Sequence, residues 1–256
     1  MRIRVLGSGT SHGIPQLNCS CYVCSSADTH DKRYRSSIII EHPNNINWVV
    51  DTGPDFRSQM LQQPHIHSLS ALFFTHEHKD HTSGLDDVRA YSYNYEDGLN
   101  VYAQQRVCDN IKMCYGYIFT EKTYPGIPRL QLIPIQENTP IIVDGIEVTP
   151  IAVMHYKLPI LGFRIGDFAY ITDGKYITDQ ALALLQGLKV LILNALRIEP
   201  HLSHFNLEEA IEMATKIGAE NSYFTHISHQ LGLHSQVDLK LPKGMHLAFD
   251  GLTIDL

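Results

Sequence analysis

Four side chains of metal-binding type fall within six residues, directly after a short apolar run at residues 71–74. They are His76, His78, Asp80 and His81. The run predicts a buried strand. Alternate residues of an extended segment point to one side, so the first three can converge while a turn brings in the fourth. Imidazole and carboxylate groups suit Zn²⁺ and Mn²⁺. The pattern predicts a metal site at a strand end, and ligands from elsewhere would complete a second site.

Length and composition indicate a globular protein. The chain has 256 residues, of which 44% are hydrophobic and 18% are charged, so it can bury a sizeable core. Glycine and proline are scattered as turn residues, so we interpret residues 1–256 as a single domain. Predicted strands and helices are interleaved in both halves, which favours an α/β fold with helices outside packed sheets.

The charge and the apolar runs limit the partners. The formal net charge is −7, which argues against a nucleic-acid partner, because such proteins usually carry a basic face. The first six residues are too short for a signal peptide, and no run reaches the roughly 18 apolar residues of a membrane span. We therefore expect a soluble, cytoplasmic protein with no membrane partner. A homodimer stays open, since dimers are the commonest soluble assembly.

Local patterns place the elements. Helices are predicted at residues 55–63, near 84–91, from about 104 to 117, around 182–185 and at 206–217, with Asp55 and Asn206 as N-caps. Strands are predicted at residues 2–6, 36–41, 47–50, 71–74, 101–103, 130–135, 141–143, 146–153, 161–165, 168–171, 190–193 and 222–224, and near 247 and 253.

Residues 75–81 resemble the H-x-H-x-D-H signature of the metallo-β-lactamase superfamily. The resemblance implies a four-layer αββα sandwich with two catalytic metal ions at its edge. It also implies three further ligands, each after an apolar strand: His155, the bridging Asp173, and His226. Asp51 matches a family aspartate that orients the ligand loop rather than binding metal. The implied catalytic metal ligands are His76, His78, Asp80, His81, His155, Asp173 and His226.

Three of the five cysteines, Cys19, Cys21 and Cys24, also lie within six residues. In a reducing compartment such a cluster indicates a metal site rather than disulfides. A structural zinc ion takes four ligands, and His229 is the natural fourth because its neighbour His226 holds that segment beside the predicted centre.

The segment from Gly7 to Cys24 is similar to the superfamily branch that contains the cyclic phosphodiesterase of phosphonate breakdown, the PhnP type. That branch carries this extra zinc ion. The remaining cysteines, Cys108 and Cys114, are predicted to be plain buried residues of a helix.

The implied reaction is hydrolysis of a small, cyclic phosphodiester. Two metal ions, Mn²⁺ or Zn²⁺, would lower the pKa of a shared water from 15.7 toward roughly 7, which gives a hydroxide nucleophile. The departing alkoxide needs a proton, and His204 is the predicted acid, with His201 as the alternative. Asp80 and His204 are thus the residues assigned to catalysis.

Other hypotheses about the function stay open. Within enzymes they are tRNA processing of the ribonuclease Z type and thioester or lactone hydrolysis. A non-catalytic binding or chaperone protein, like pyrroloquinoline quinone protein B, is the alternative of another class. Near the motifs, His12 and His234 could line the pocket, and Arg33 and Arg35 could meet a phosphate or be structural. Surface positions are expected for His30, His42, His65, His67 and His246.

Overall fold

In the computed structural model, which describes residues 1–120 and 126–256, fifteen strands form two mixed β-sheets. The first sheet contains β1 (Arg2–Gly7), β2 (Ser37–His42), β3 (Ile46–Val50), β4 (Ala71–Phe73), β5 (Leu99–Ala103), β6 (Leu130–Pro134) and β15 (Thr253–Asp255). The second contains β7 (Ile141–Val143), β8 (Ile146–His155), β9 (Leu158–Ile165), β10 (Phe168–Ile171), β11 (Tyr176–Ile177), β12 (Val190–Asn194), β13 (Asn221–Thr225) and β14 (Met245–Leu247).

Helices connect many of the strands along the chain. They are α1 (Phe56–Leu61), α2 (Lys79–Thr82), α3 (Arg89–Ser92), α4 (Gln105–Cys114), α5 (Asp179–Ala183), α6 (Leu207–Ile217) and α7 (His234–Asp238). Short 3-10 turns occupy Thr29–Asp31, Pro43–Asn45, Leu85–Val88 and Gly116–Phe119. Among the described residues, no helix is long and apolar enough to cross a membrane.

The inner faces of the two sheets share one apolar core. Trp48 and Phe73 of the first sheet lie 5.5 Å apart between ring centroids, and Phe73 lies 5.2 Å from Phe163 of the second sheet. The outer face of the first sheet packs on α1 and α4, and that of the second on α5 and α6. This layering confirms the predicted αββα sandwich.

Strand direction brings the functional segments to one edge. In the first sheet β3, β4, β5 and β6 run parallel, and in the second β10, β12, β13 and β14 do. The carboxyl ends of parallel strands meet at the same edge of a sheet, where ligands usually bind in open α/β sheets. The predicted metal ligands lie after such strand ends or, for His155, at the end of β8.

Several local predictions can be compared with the structure. Asn206 caps α6 as predicted: its side chain accepts a hydrogen bond from the Glu209 amide, and the Glu209 carboxylate accepts one from the Asn206 amide. The predicted capping by Asp55 is wrong, because its carboxylate accepts from the backbone and guanidinium of Arg35 instead. The burial predicted for Cys114 is also wrong, since that thiol is exposed, while Cys108 is buried.

The observed boundaries of two helices also differ from the predicted ones. The helix predicted near residues 84–91 is divided into the 3-10 turn Leu85–Val88 and the short α3. The helix predicted around residues 182–185 begins earlier, because the side chain of Thr178 caps it by accepting from the Ala181 amide.

Candidate metal centre

Three residues of the candidate centre have left-handed backbones. Asp51, Asp173 and His226 follow β3, β10 and β13, and their φ angles are +63°, +57° and +56°. A non-glycine residue in this region is strained, and such strain collects at functional sites. The turn at each strand end aims the side chain across the edge instead of along the strand.

One group of candidate ligands consists of Asp80, His81, Asp173 and His226. One ligand atom from each lies within 4.8 Å of all the others. Nε2 of His81 lies 3.2 Å from Oδ2 of Asp80 and 3.3 Å from Oδ1 of Asp173. Nε2 of His226 lies 3.2 Å from Oδ2 of Asp173. The four side chains therefore enclose a space of the size that a single ion requires.

A second group consists of three imidazoles near Asp173, of which that of His78 is exposed. The ring centroids of His76 and His78 lie 4.5 Å apart, and those of His76 and His155 lie 5.7 Å apart. Nε2 of His76 lies 4.0 Å from Oδ2 of Asp173. Oδ2 of Asp173 thus lies within 4.0 Å of an imidazole nitrogen from each group, and Asp173 also forms a possible metal-binding set with His155 and His204.

The donor atoms fit metal ions. Among the described residues, Nε2 of His76, His81 and His226 is buried and has no hydrogen-bond partner. An unpaired buried polar atom costs about 1–3 kcal/mol, and a bound cation would satisfy each of these nitrogens. Imidazole nitrogens with carboxylate oxygens are a donor set for Zn²⁺ or Mn²⁺.

Asp51 orients two of these imidazoles. Its carboxylate lies 2.7 Å from Nδ1 of His81 and accepts from the amide and hydroxyl of Thr75, each at 2.9 Å. The Thr75 oxygen lies 2.9 Å from Nδ1 of His76. Contacts of this kind fix the tautomer that leaves Nε2 free for a metal. Sequence reasoning anticipated this role for Asp51 but missed Thr75.

Backbone carbonyls and Asn194 fix the positions of His155 and Asp173. Nδ1 of His155 lies 2.9 Å from the carbonyl oxygens of both Asp173 and Ser203. The buried amide of Asn194 accepts from the Gly174 N–H at 2.6 Å and donates to the Gly174 carbonyl at 2.9 Å. Asn194 therefore fixes the turn that presents Asp173, a role that sequence reasoning did not identify.

Burial and charge shift the pKa values of the centre. Burial lowers the pKa of His76 well below its ordinary value and also lowers that of His78. For His81, burial alone would lower the pKa, but Asp173, Asp80 and Asp51 together raise it well above the ordinary value. For Asp173, burial opposes ionisation, but His226 and His81 outweigh it and lower the pKa.

Of the two candidate acids, the structure brings His204 into the centre. Its side chain is buried, and its Nε2 lies 3.2 Å from Oδ2 of Asp173. His201 lies behind it, with Nδ1 3.1 Å from Nδ1 of His204. Burial lowers the pKa of His204 to about 4, so the free imidazole is neutral at pH 7.

The four side chains predicted to bind a structural zinc ion lie close together. The three sulfur atoms of Cys19, Cys21 and Cys24 and a ring nitrogen of His229 all lie within 4.8 Å of one another. Nδ1 of His229 lies 3.2 Å from Sγ of Cys21 and 3.4 Å from Sγ of Cys19. A hydrogen bond from the Cys24 amide, then one with His229, lowers the pKa of Cys21 to about 6, whereas burial raises that of Cys24 to about 11.

Two clefts flank the centre. The first, of about 310 Å³, reaches His204 and is lined by Thr10, Ser11, His12, Gly13, Gln16, Leu196, Arg197, His201, His204, Ser228, His229 and Gln230. The second, of about 420 Å³, is lined by His78, His155, Tyr156, Lys157, Leu158 and Ser203. His12 therefore lines a cleft, as one prediction held.

Other basic residues have structural positions. His234 is in neither cleft, and its ring stacks on that of His30 at 4.8 Å. Arg33 is buried and donates to the Ser8 hydroxyl and the Ala248 carbonyl.

The surface prediction holds for His65, His67 and His246, which are exposed. It is wrong for His42, which is half-buried against Trp48 with ring centroids 4.5 Å apart. His30 lies at the surface with its side chain 40% exposed, although its ring also packs on Phe249 at 4.3 Å.

Comparison with known proteins adds a family and several relatives. The sequence profile of the Beta-lactamase superfamily domain matches residues 47–227. The chain is 42% identical over 253 residues to a protein of Porphyromonas gingivalis named octanoyltransferase, covering 98% of this chain. It spans only 51% of that relative, about half of its length.

Two solved structures share the fold over the whole chain. A diphosphatase from the PhnP family superposes with a TM-score of 0.92 at 37% identity, covering 100% of this chain and 97% of the other. Zinc-bound PqqB from Methylobacterium extorquens superposes with a TM-score of 0.80 at 21% identity, covering 100% of both chains.

Proposed function

Because the chain belongs to the β-lactamase superfamily and has the metallo-β-lactamase fold, we propose that it is a metal-dependent hydrolase of a small, cyclic phosphodiester. The observation that carries the proposal is the buried Asp173 carboxylate, whose Oδ2 lies within 4.0 Å of an imidazole nitrogen from each ligand group, His76 of one and His226 of the other. Paired metal sites of this kind act on phosphate esters by clamping the attacking and leaving oxygens.

Different residues of the chain would hold the two ions. His76, His78 and His155 would hold one divalent ion and Asp80, His81 and His226 the other, with Asp173 contacting both. Bound ions would supply activation of water and neutralise charge on the phosphate oxygens. Asp51 and Thr75 keep the imidazoles in the tautomer that exposes Nε2.

His204 is proposed as the group that handles the leaving oxygen. Its Nε2 lies beside the Asp173 carboxylate, so it faces the space where a phosphate would lie between the ions. The low pKa keeps this imidazole neutral in the free protein. A phosphate anion beside it favours the protonated form, which is the form that an acid requires.

The charge of the first cleft supports an anionic substrate. The Arg197 guanidinium lines it, and no aspartate or glutamate occurs among its described lining residues. This contrasts with the net charge of −7 of the whole chain. A cleft lined by one sign of charge concentrates ligands of the opposite sign.

The similarity to a PhnP-family diphosphatase, at 37% identity over the whole chain, supports phosphoryl chemistry. A second candidate is hydrolysis of an acyl ester or thioester. It is favoured by 42% identity to one half of a protein named octanoyltransferase, a name that denotes acyl transfer. Both reactions need an activated water, so the metal centre alone is compatible with either.

A substrate panel tests the proposal. Protein loaded with Mn²⁺ or Zn²⁺ would be assayed with a ribose cyclic phosphate, a nucleoside 2′,3′-cyclic phosphate, an aryl phosphodiester, a thioester and a lactone, beside a His78→Ala control. We expect cyclic phosphodiester hydrolysis that the control lacks. Turnover of the thioester or lactone alone would overturn the phosphodiesterase proposal.

Metal counting separates catalysis from a binding role on the same fold. A two-metal enzyme with the cysteine site would hold about three ions per chain, and a scaffold that keeps only the structural site about one. Full metal loading without turnover of any panel member would favour a non-catalytic protein.

A further inference from the structure

The turn between β8 and β9 carries a residue that its backbone does not favour. His155 pairs with Leu158, so Tyr156 and Lys157 alone form the turn. Tyr156 has a φ of +54°, while Lys157 does not have a positive φ. Two-residue hairpins with a positive φ at the first turn position strongly prefer glycine there.

Tyr156 stands apart from the other strained residues. Of the nine described non-glycine residues with positive φ, eight are asparagine, aspartate or histidine, and the ninth is Tyr156. The first three types tolerate this conformation, but for a bulky residue it is a genuine outlier. The conformation therefore opposes tyrosine at this position.

Packing does not account for the tyrosine either. The residue is 49% exposed. Among the described residues its ring has one notable neighbour, the Lys157 ammonium at 5.3 Å from the centroid. Its hydroxyl forms no hydrogen bond with any described residue. Residues that break a local rule without a compensating contact are expected at functional sites.

The ring lies beside the metal centre. Tyr156 and Lys157 line the second cleft together with His78 and His155, two of the candidate ligands of one ion. A substituent attached to a phosphate held at these histidines would therefore reach the ring. Aromatic side chains at such positions stack on planar groups, and every nucleobase offers a π face.

We propose that Tyr156 determines specificity by stacking on a planar group of the substrate, a nucleobase or an aryl ring. The inference rests on the proposed function, since the planar group is attached to the phosphodiester held by the metal ions. The adjacent Lys157 ammonium adds a positive charge on the same side of the cleft, which favours a phosphate ester over a neutral compound.

The test compares two substrates with the same reacting group. Adenosine 2′,3′-cyclic phosphate carries a base, and methyl riboside 2′,3′-cyclic phosphate does not. Loss of one stacked base corresponds to roughly a tenfold or greater change in affinity. In Tyr156→Gly we expect the KM for the adenosine compound to rise about tenfold, with the KM for the riboside and both kcat values nearly unchanged.

Two variants complete the comparison. Tyr156→Phe keeps the ring and should keep the wild-type preference. Tyr93→Ala removes another exposed tyrosine that lines neither cleft and should change neither KM. Glycine suits the positive φ of position 156, so Tyr156→Gly should unfold at the wild-type temperature or above, which excludes misfolding as the cause.

The outcomes separate this inference from the proposed function. Hydrolysis of both compounds with equal KM changes in Tyr156→Gly would overturn the stacking role and leave the phosphodiesterase in place. If neither compound is hydrolysed, calorimetric titration of metal-loaded protein with adenosine 2′-monophosphate and ribose 5-phosphate gives the same comparison. Weaker binding of the adenosine compound by Tyr156→Gly than by wild type would then support the subsite. Equal affinity of wild type and Tyr156→Gly for this compound would overturn it.

Discussion

Nδ1 of His81 lies 2.7 Å from Oδ2 of Asp51, and both side chains are fully buried. The carboxylate can only accept, so Nδ1 keeps its proton, and Nε2, which faces Asp80 and Asp173, is the nitrogen that would release a proton to bind a metal ion. An amide at position 51 could donate to Nδ1 instead, which would move the proton to Nε2 and block that ligand atom.

For Asp51→Asn we therefore expect the affinity for the catalytic ions to fall by on the order of 10–100-fold. Competition with a chromogenic chelator would measure it, and the cysteine-bound ion serves as an internal control that should stay in place. Wild-type affinity at both catalytic sites would contradict the role of Asp51.

His204 and His201 differ in their contact with the centre, and their variants should differ too. His204→Ala removes the imidazole that touches Asp173, and we expect kcat to fall by on the order of 10²-fold, as for loss of a general acid. His201→Ala should have a much smaller effect, because that ring contacts His204 rather than Asp173. Both variants should keep the wild-type metal content. Equal losses of kcat would contradict the assignment.

The position of the centre could be predicted from the sequence because the segments that carry the candidate ligands follow apolar runs. A run of four to eight apolar residues predicts a buried strand, and the residue after it lies at a sheet edge. The strands before His76 and His226 and the capped helix after Asn206 were found by this reasoning. They depend on local hydrophobicity and capping, which a sequence displays directly.

What the sequence could not supply was contact between distant segments. Asp55 has the composition of an N-cap, but Arg35, twenty residues away, takes its carboxylate. Cys114 follows a helical pattern, but α4 ends there and leaves its thiol exposed. Thr75 and Asn194 act through neighbours that only the tertiary structure brings to them, and no local signal distinguishes them from other buried polar residues.

The cysteine cluster should support the first cleft more than the metal centre. His229 belongs to the cluster and also lines that cleft. His12 and Gln16, from the loop before Cys19, line the same cleft. For Cys24→Ser we expect one zinc ion fewer per chain, a lower unfolding temperature, and a KM that rises more than kcat falls.

The exposed Cys114→Ser is the matched control for this experiment and should behave as wild type. Metal analysis, thermal unfolding and steady-state kinetics give the three readouts. An unchanged zinc content in Cys24→Ser would show that the cluster does not use this thiol.

Arg106 joins the two segments that carry the three-histidine group. From α4 its guanidinium pairs with the carboxylate of Glu77 and donates to the Pro159 carbonyl at 2.5 Å. Glu77 lies between His76 and His78, and Pro159 lies in the strand paired with the one that ends at His155. Arg106→Gln should therefore weaken binding of one catalytic ion while the other stays bound.

Stepwise metal titration with the fold monitored by circular dichroism would measure this effect. Arg106→Lys should restore part of the affinity, since it keeps the charge but not the forked geometry. Equal weakening of both sites would contradict a role confined to the three-histidine group.

His42 should make folding stability depend on pH at a place remote from the metals. Its ring packs on Trp48, and its buried Nε2 has no hydrogen-bond partner among the described residues. Burial, then the charge of the N-terminus, lowers its pKa from 6.5 to about 4, while Asp144 opposes the shift. The folded state thus disfavours the protonated ring.

The direction in which folding stability changes with pH follows from proton binding. Between pH 6.5 and 4 the unfolded chain binds more protons at this position than the folded protein, so stability is full above pH 6.5 and is lost as the pH falls. Because the ring is only half-buried, solvent screening reduces the effect to roughly 1 kcal/mol. His42→Phe keeps an aromatic ring against Trp48 but cannot titrate. Urea unfolding at pH 7 and pH 5 should therefore show a stability gap between the variant and wild type that widens in favour of the variant at pH 5. A gap that is equal at the two pH values would show that His42 titrates normally in the folded protein.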